Sequence, residues 1–99
     1  MKVEFEKFEN PMPANRDTMN FLKKKGNMFF IIYREGHEEY DHKKWRDKTV
    51  YEDSIETLEI CPNDIIILGH DFFNERKNAF ILGYCQIEFP KEYSEVIRL

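Results

Sequence analysis

The sequence predicts an α+β domain: a strongly bent, mainly antiparallel sheet or small β-barrel of five or six strands with one short helix. Three observations lead there. Apolar and β-branched residues gather in short runs bounded by Gly, Pro and Asn, the punctuation of strands and turns. A single segment, Arg16 to Lys25, combines helical spacing with a cap at each end. The last third of the chain then sets two apolar runs on either side of a polar connection, as a β-hairpin does.

Taken in order, Lys2 to Phe8 alternates with Val3 and Phe5 on one face and predicts a strand. Asn10-Pro11-Met12-Pro13 breaks it into a loop, since residues before proline are pushed toward extended conformations. In Arg16 to Lys25, Asn15 or Asp17 caps the N-terminus, Met19 and Leu22 share a face, and Gly26 offers a left-handed C-cap. Lys23, Lys24 and Lys25 lie where the helix dipole favours cations.

Asn27 to Glu35 is apolar on both faces, which predicts a central strand ended by Gly36. His37 to Lys48, the most polar stretch, is expected to be a loop. Thr49-Val50-Tyr51 and Ser54 to Ile60 are weaker strand candidates, the second equally suited to a helical turn. Cys61-Pro62-Asn63-Asp64 is a turn, with Pro presetting one torsion and Asn tolerating the left-handed one.

The predicted hairpin pairs Asp64–Phe73 with Ala79–Phe89 across the connection Asn74 to Asn78. Phe72 then faces Phe80, Gly69 faces Gly83, Ile67 faces Cys85 and Ile65 faces Ile87. Both faces are mostly apolar and require cover, which places the hairpin at the centre of the fold. Asp71 points with the apolar face on this register and is expected to bond turn amides from Asn74 onward. Pro90 closes the last strand, and Val96, Ile97 and Leu99 remain in a tail able to add a short edge strand or helical turn.

Ninety-nine residues suit one domain, 1–99, and nine Phe, five Tyr and one Trp supply a core without disulfide or metal staples. A net charge of −4 with both signs interspersed lacks the clustered basic footprint of a nucleic-acid binder. Two cysteines, Cys61 and Cys85, make neither a disulfide framework nor a zinc signature. The start of the chain lacks the apolar region of a secretion signal, and no apolar run approaches the ~18 residues of a membrane span, so a cytoplasmic setting is expected. Phe, Tyr, Met, Ile, Asn and Lys are abundant and Ala appears only twice, a bias toward AT-rich codons that fits a low-GC bacterium or one of its phages.

No constellation carries a specific chemistry. His37, Glu38, Glu39, Asp41 and His42 are metal-ligand types, but their spacing matches no signature and a solvated loop explains them better. Neither cysteine has the adjacent base a nucleophile needs, and Ser54 and Ser94 lack a nucleophile elbow. The four glycines are isolated, which excludes a phosphate-cradling loop. The expectation is therefore no enzyme, no cofactor and no metal.

Binding is what remains. Tyr40, His42, Lys43, Lys44, Trp45, Arg46 and Tyr51 interleave aromatics with cations, the residue types enriched at protein interfaces and at single-strand stacking sites. A plain structural role competes: Trp45 pinning the loop to the core with Tyr40 or Tyr51. His70 and Asp71 are out of place in an apolar hairpin and join the candidate binding set. The leading expectation is a small regulator or inhibitor that docks on another protein, plausible cargo for a phage or mobile element. A nucleotide- or nucleic-acid-binding barrel is the alternative, and an enzyme that gathers His42, His70 and Asp71 in one pocket is the third.

Overall fold

Apolar residues on both faces of the segment after the helix make it the middle of a sheet. The computed structural model describes residues 4–87 as six strands and one helix: β1 (Glu6–Pro13), α1 (Arg16–Lys23), β2 (Met28–Asp41), β3 (Arg46–Ile60), β4 (Ile66–Leu68), β5 (Asp71–Phe72) and β6 (Ala79–Gln86). They form one open antiparallel sheet in the order β1-β6-β2-β3-β4-β5. The bent α+β sheet is as the sequence predicts, and it does not close into a barrel.

The helix forms where its caps put it. Asn15 is extended and its side chain accepts from the Thr18 amide at 3.0 Å, while Thr18, Met19 and Leu22 bury one face. At eight residues it depends on that docking. Gly26 donates to the Leu22 carbonyl at 3.2 Å but does not adopt the expected left-handed torsion.

β1 corrects the expected loop at Asn10 to Pro13. As an edge strand it tolerates proline, and an irregularity between Lys7 and Met12 absorbs the misfit. Residues 1–3, where the expected strand begins, lie outside the described residues, as do the end of the expected last strand and the tail.

The larger correction concerns the hairpin. β4 pairs with β3 (Leu58 opposite Leu68) and with β5, while β6 lies on the far side of the sheet between β1 and β2. None of the four expected pairs forms. β2 carries an apolar run that matches β6 equally well, with Ile31 opposite Tyr84 and Tyr33 opposite Ile81. A bulge at Leu82 shifts the register between Ile32 and Tyr33. β1 then runs close along the other side of β6: a Cβ on Gly83 would stand 2.9 Å from the Glu6 carbonyl oxygen.

One face of the sheet holds the core. Phe29, Ile31 and Tyr33 from β2 meet Leu58, Ile60, Ile66, Ile81 and Tyr84, covered by Met19 and Leu22. Each such side chain contributes about 1.5–3 kcal/mol by leaving water. Phe29 meets Tyr84 edge-on at 5.9 Å, and the Tyr84 hydroxyl donates to Glu6 Oε2 at 2.6 Å. That bond, followed by burial, raises the Tyr84 pKa.

Candidate functional site

β2 and β3 outrun the rest of the sheet. β6 accompanies β2 only from Phe29 to Glu35, and β4 accompanies β3 only from Leu58 to Ile60. Beyond Gly36 and Tyr51 the two strands continue as a ribbon, pairing in unbroken register to Asp41 opposite Arg46. The expected loop at His37–Lys48 is thus a β-arm, and the two weak strand candidates after it are one strand. The described residues span 58 × 30 × 24 Å, far from spherical.

The arm has no buried face. From His37 to Thr49 every side chain is exposed except that of Asp41, which is half-buried. What holds it is cross-strand pairing: Glu39 faces Lys48, Asp41 faces Arg46, and Thr49 Oγ1 donates to Glu38 Oε1 at 2.9 Å. Such pairs contribute about 0.2–1 kcal/mol each. At the root, Arg34 Nε and Nη2 donate to the two Asp53 oxygens at 2.6 and 2.9 Å, and this bonding lowers the Asp53 pKa. On the same face Tyr51 lies over Gly36, where a Cβ would stand 2.8 Å from its ring, and the ring sits 6.4 Å from Phe80. Gly36 is a seat for Tyr51 rather than a strand terminator.

At the tip, His42 to Trp45 reverse the chain. Asp41 Oδ1 accepts from the amides of Lys43 (2.9 Å) and Lys44 (3.3 Å), which closes the turn. Tyr40 and His42 meet edge-on at 4.9 Å. Trp45 takes the left-handed position, φ 55°, with 79% of its surface exposed. The expectation that it pins a loop to the core therefore fails: neither the turn nor any packing accounts for a tryptophan here. A left-handed torsion costs a residue with a Cβ about 1–2 kcal/mol.

Tyr40, His42, Lys43, Trp45 and Arg46 thus come together at the tip, and Tyr51 stands apart at the root. His70 and Asp71 are elsewhere, exposed at the β4–β5 turn beside a groove of about 250 Å³ lined also by Tyr33, Glu56 and Arg76. Thr57, which bonds Gly69, is eleven residues along β3 from Arg46, about 35 Å at ~3.3 Å per residue. His42 does not share a pocket with His70 and Asp71. Nor does Asp71 sit on an apolar face: it is exposed, and its backbone pairs with Leu68.

Sequence reasoning did not find the arm as a shape, because a ribbon without a buried face leaves no alternation of polar and apolar residues. Among the described residues no three His, Cys, Asp or Glu side chains gather as a metal site, and both cysteines are free and half-buried. Cys85 faces Phe30 across β2, on the side of the sheet away from the core. No described helix is long and apolar enough to cross a membrane. No family model matches the chain, and neither the curated proteins nor the solved structures contain a significant match to it.

Proposed function

We propose that the protein is a non-catalytic binding protein, a small cytoplasmic regulator or inhibitor that docks on another protein through the tip of the β2–β3 arm. Trp45 carries the reading. A large apolar ring stands in solvent, on a torsion where Gly or Asn is more stable, and both costs are explained if the ring enters a pocket on a partner. The flanking Tyr40, His42 and Arg46 supply the amphipathic rim that interface anchors have. The codon bias and small size suit a phage or mobile element whose product acts on a host protein.

Nucleic acid is the second reading, favoured by Lys43, Lys44 and Arg46 around an aromatic on a two-stranded ribbon, a shape the major groove admits. Against it, Glu38, Glu39, Asp41 and Asp47 stand on the same arm and repel phosphate.

The test is capture of a partner from extracts of the source cell by tagged protein, followed by affinity measurement with Trp45→Gly. Loss of about 30-fold or more in affinity is expected for an anchor. A partner bound equally well by Trp45→Gly would overturn the assignment. Oligonucleotide binding that weakens steeply with salt would move the reading to nucleic acid.

A further inference from the structure

β3 has a second property, along its outer edge. Its Thr57 carbonyl accepts from the Gly69 amide (2.7 Å) on the outer side, and its Ile60 amide donates to the Asn27 carbonyl (2.7 Å) on the inner side. Along a strand these directions alternate, so Asp47, Thr49, Tyr51, Asp53 and Ile55 turn their amides and carbonyls outward. Among the described residues no strand pairs with this edge between Arg46 and Glu56. A long open edge is a template for strand addition.

Charge usually blunts such an edge. On the face that carries Arg46 the signs are segregated: Arg46 and Lys48 lie toward the tip and Glu52 and Glu56 toward the root, while Asp47 and the Arg34-bound Asp53 project from the other face. A like strand arriving antiparallel brings the basic end of one onto the acidic end of the other. With Tyr51 on the two-fold axis, Arg46 faces the second copy's Glu56 twice over, and the outward-turned residues meet one another as hydrogen-bonded pairs. Lys48 then lies diagonally between the second copy's Glu52 and Glu56. Shifting the axis to Val50 sets Asp47 against Asp53, and shifting it to Glu52 sets that carboxylate against itself. The Tyr51 axis is the one of these three without opposed like charges. The free edge of β2 offers no such match, since Glu38, Glu39 and Asp41 make it acidic throughout.

We infer that two copies of this chain associate by antiparallel pairing of their β3 edges, with Tyr51 on the two-fold axis and Arg46 opposite Glu56. The pairing shares Arg46 with the tip but does not use Trp45, which lies one residue beyond the paired stretch and beside the second copy's Thr57.

Sedimentation equilibrium on the full chain and its variants tests this. The wild type is expected to be dimeric by about 100 μM, the range of a modest interface. Arg46→Glu and Glu56→Arg each weaken the dimer about tenfold or more, since each reversal acts at two symmetric pairs, and the double variant Arg46→Glu/Glu56→Arg restores it. Thr49→Pro removes an outward N–H and the Thr49–Glu38 side-chain bond while sparing the backbone ladder with β2, and gives a monomer that remains folded by circular dichroism, whereas Thr49→Val, which loses only the side-chain bond, stays dimeric. A wild type monomeric at that concentration, or a dimer indifferent to both single reversals, overturns the inference.

Discussion

The two halves of the β2–β3 hairpin share one backbone and one register, yet only the lower half has reason to exist on its own. Between Phe29 and Tyr33 alternate residues of β2 are buried in the core, with β6 on one side and α1 beneath. Between His37 and Thr49 the ribbon has neither a third strand nor a covered face. An isolated two-stranded ribbon is marginal in water. The lower half therefore stabilises the molecule, and the upper half draws on that stability to hold a tip in solvent.

The sharpest way to break the contrast is to cut into the lower half. Phe29→Ala empties a fully buried site and is expected to cost about 3–5 kcal/mol in urea unfolding. A cost below about 1 kcal/mol would mean that the core lies elsewhere. The same measurement on Trp45→Gly should run the other way, a gain of about 1 kcal/mol from relief of the left-handed torsion. A loss there would show that the ring packs on the arm after all, and would remove the argument that it is kept for a partner.

The smallest effect lies at the junction of the halves. Arg34 lowers the Asp53 pKa in the folded chain by hydrogen bonding, so that pair's contribution is complete above the ordinary carboxylate range. It disappears as pH falls through the depressed folded value. The difference in melting temperature between wild type and Asp53→Asn should accordingly shrink in acid. Because both groups are exposed, the effect is small. A difference unchanged in acid would mean that the pair does not hold the root.

What could be read from sequence follows the same division. The helix was legible because Asn15, Met19 and Leu22 act within one segment, and β2 was legible as far as Glu35 because burial on both faces writes an apolar run. Ile66–Leu68 and Ala79–Gln86 were legible as strands but not as non-neighbours: apolar residues near in sequence invite pairing, and nothing local says that β2 will take the place beside β6. Several candidate site residues were legible by type, since Tyr40, His42 and Trp45 are conspicuous in a polar stretch. Their gathering at a tip was not, because it depends on a ladder of pairs such as Glu39 with Lys48 that carry no alternation.

The placing of β1 bears on the order in which the molecule assembles. Glu6 pairs with Tyr84 and Pro13 with Phe80, so the first described strand finds its partner only when the chain has been made as far as Tyr84. β2 and β3, joined by a four-residue turn, close at little loop entropy and can form while synthesis continues. Until β6 arrives between them, β1 and the apolar margin of β2 are both unpaired edges. The interval before β6 docks is when a nascent chain of this protein is most exposed to aggregation and to capture by chaperones.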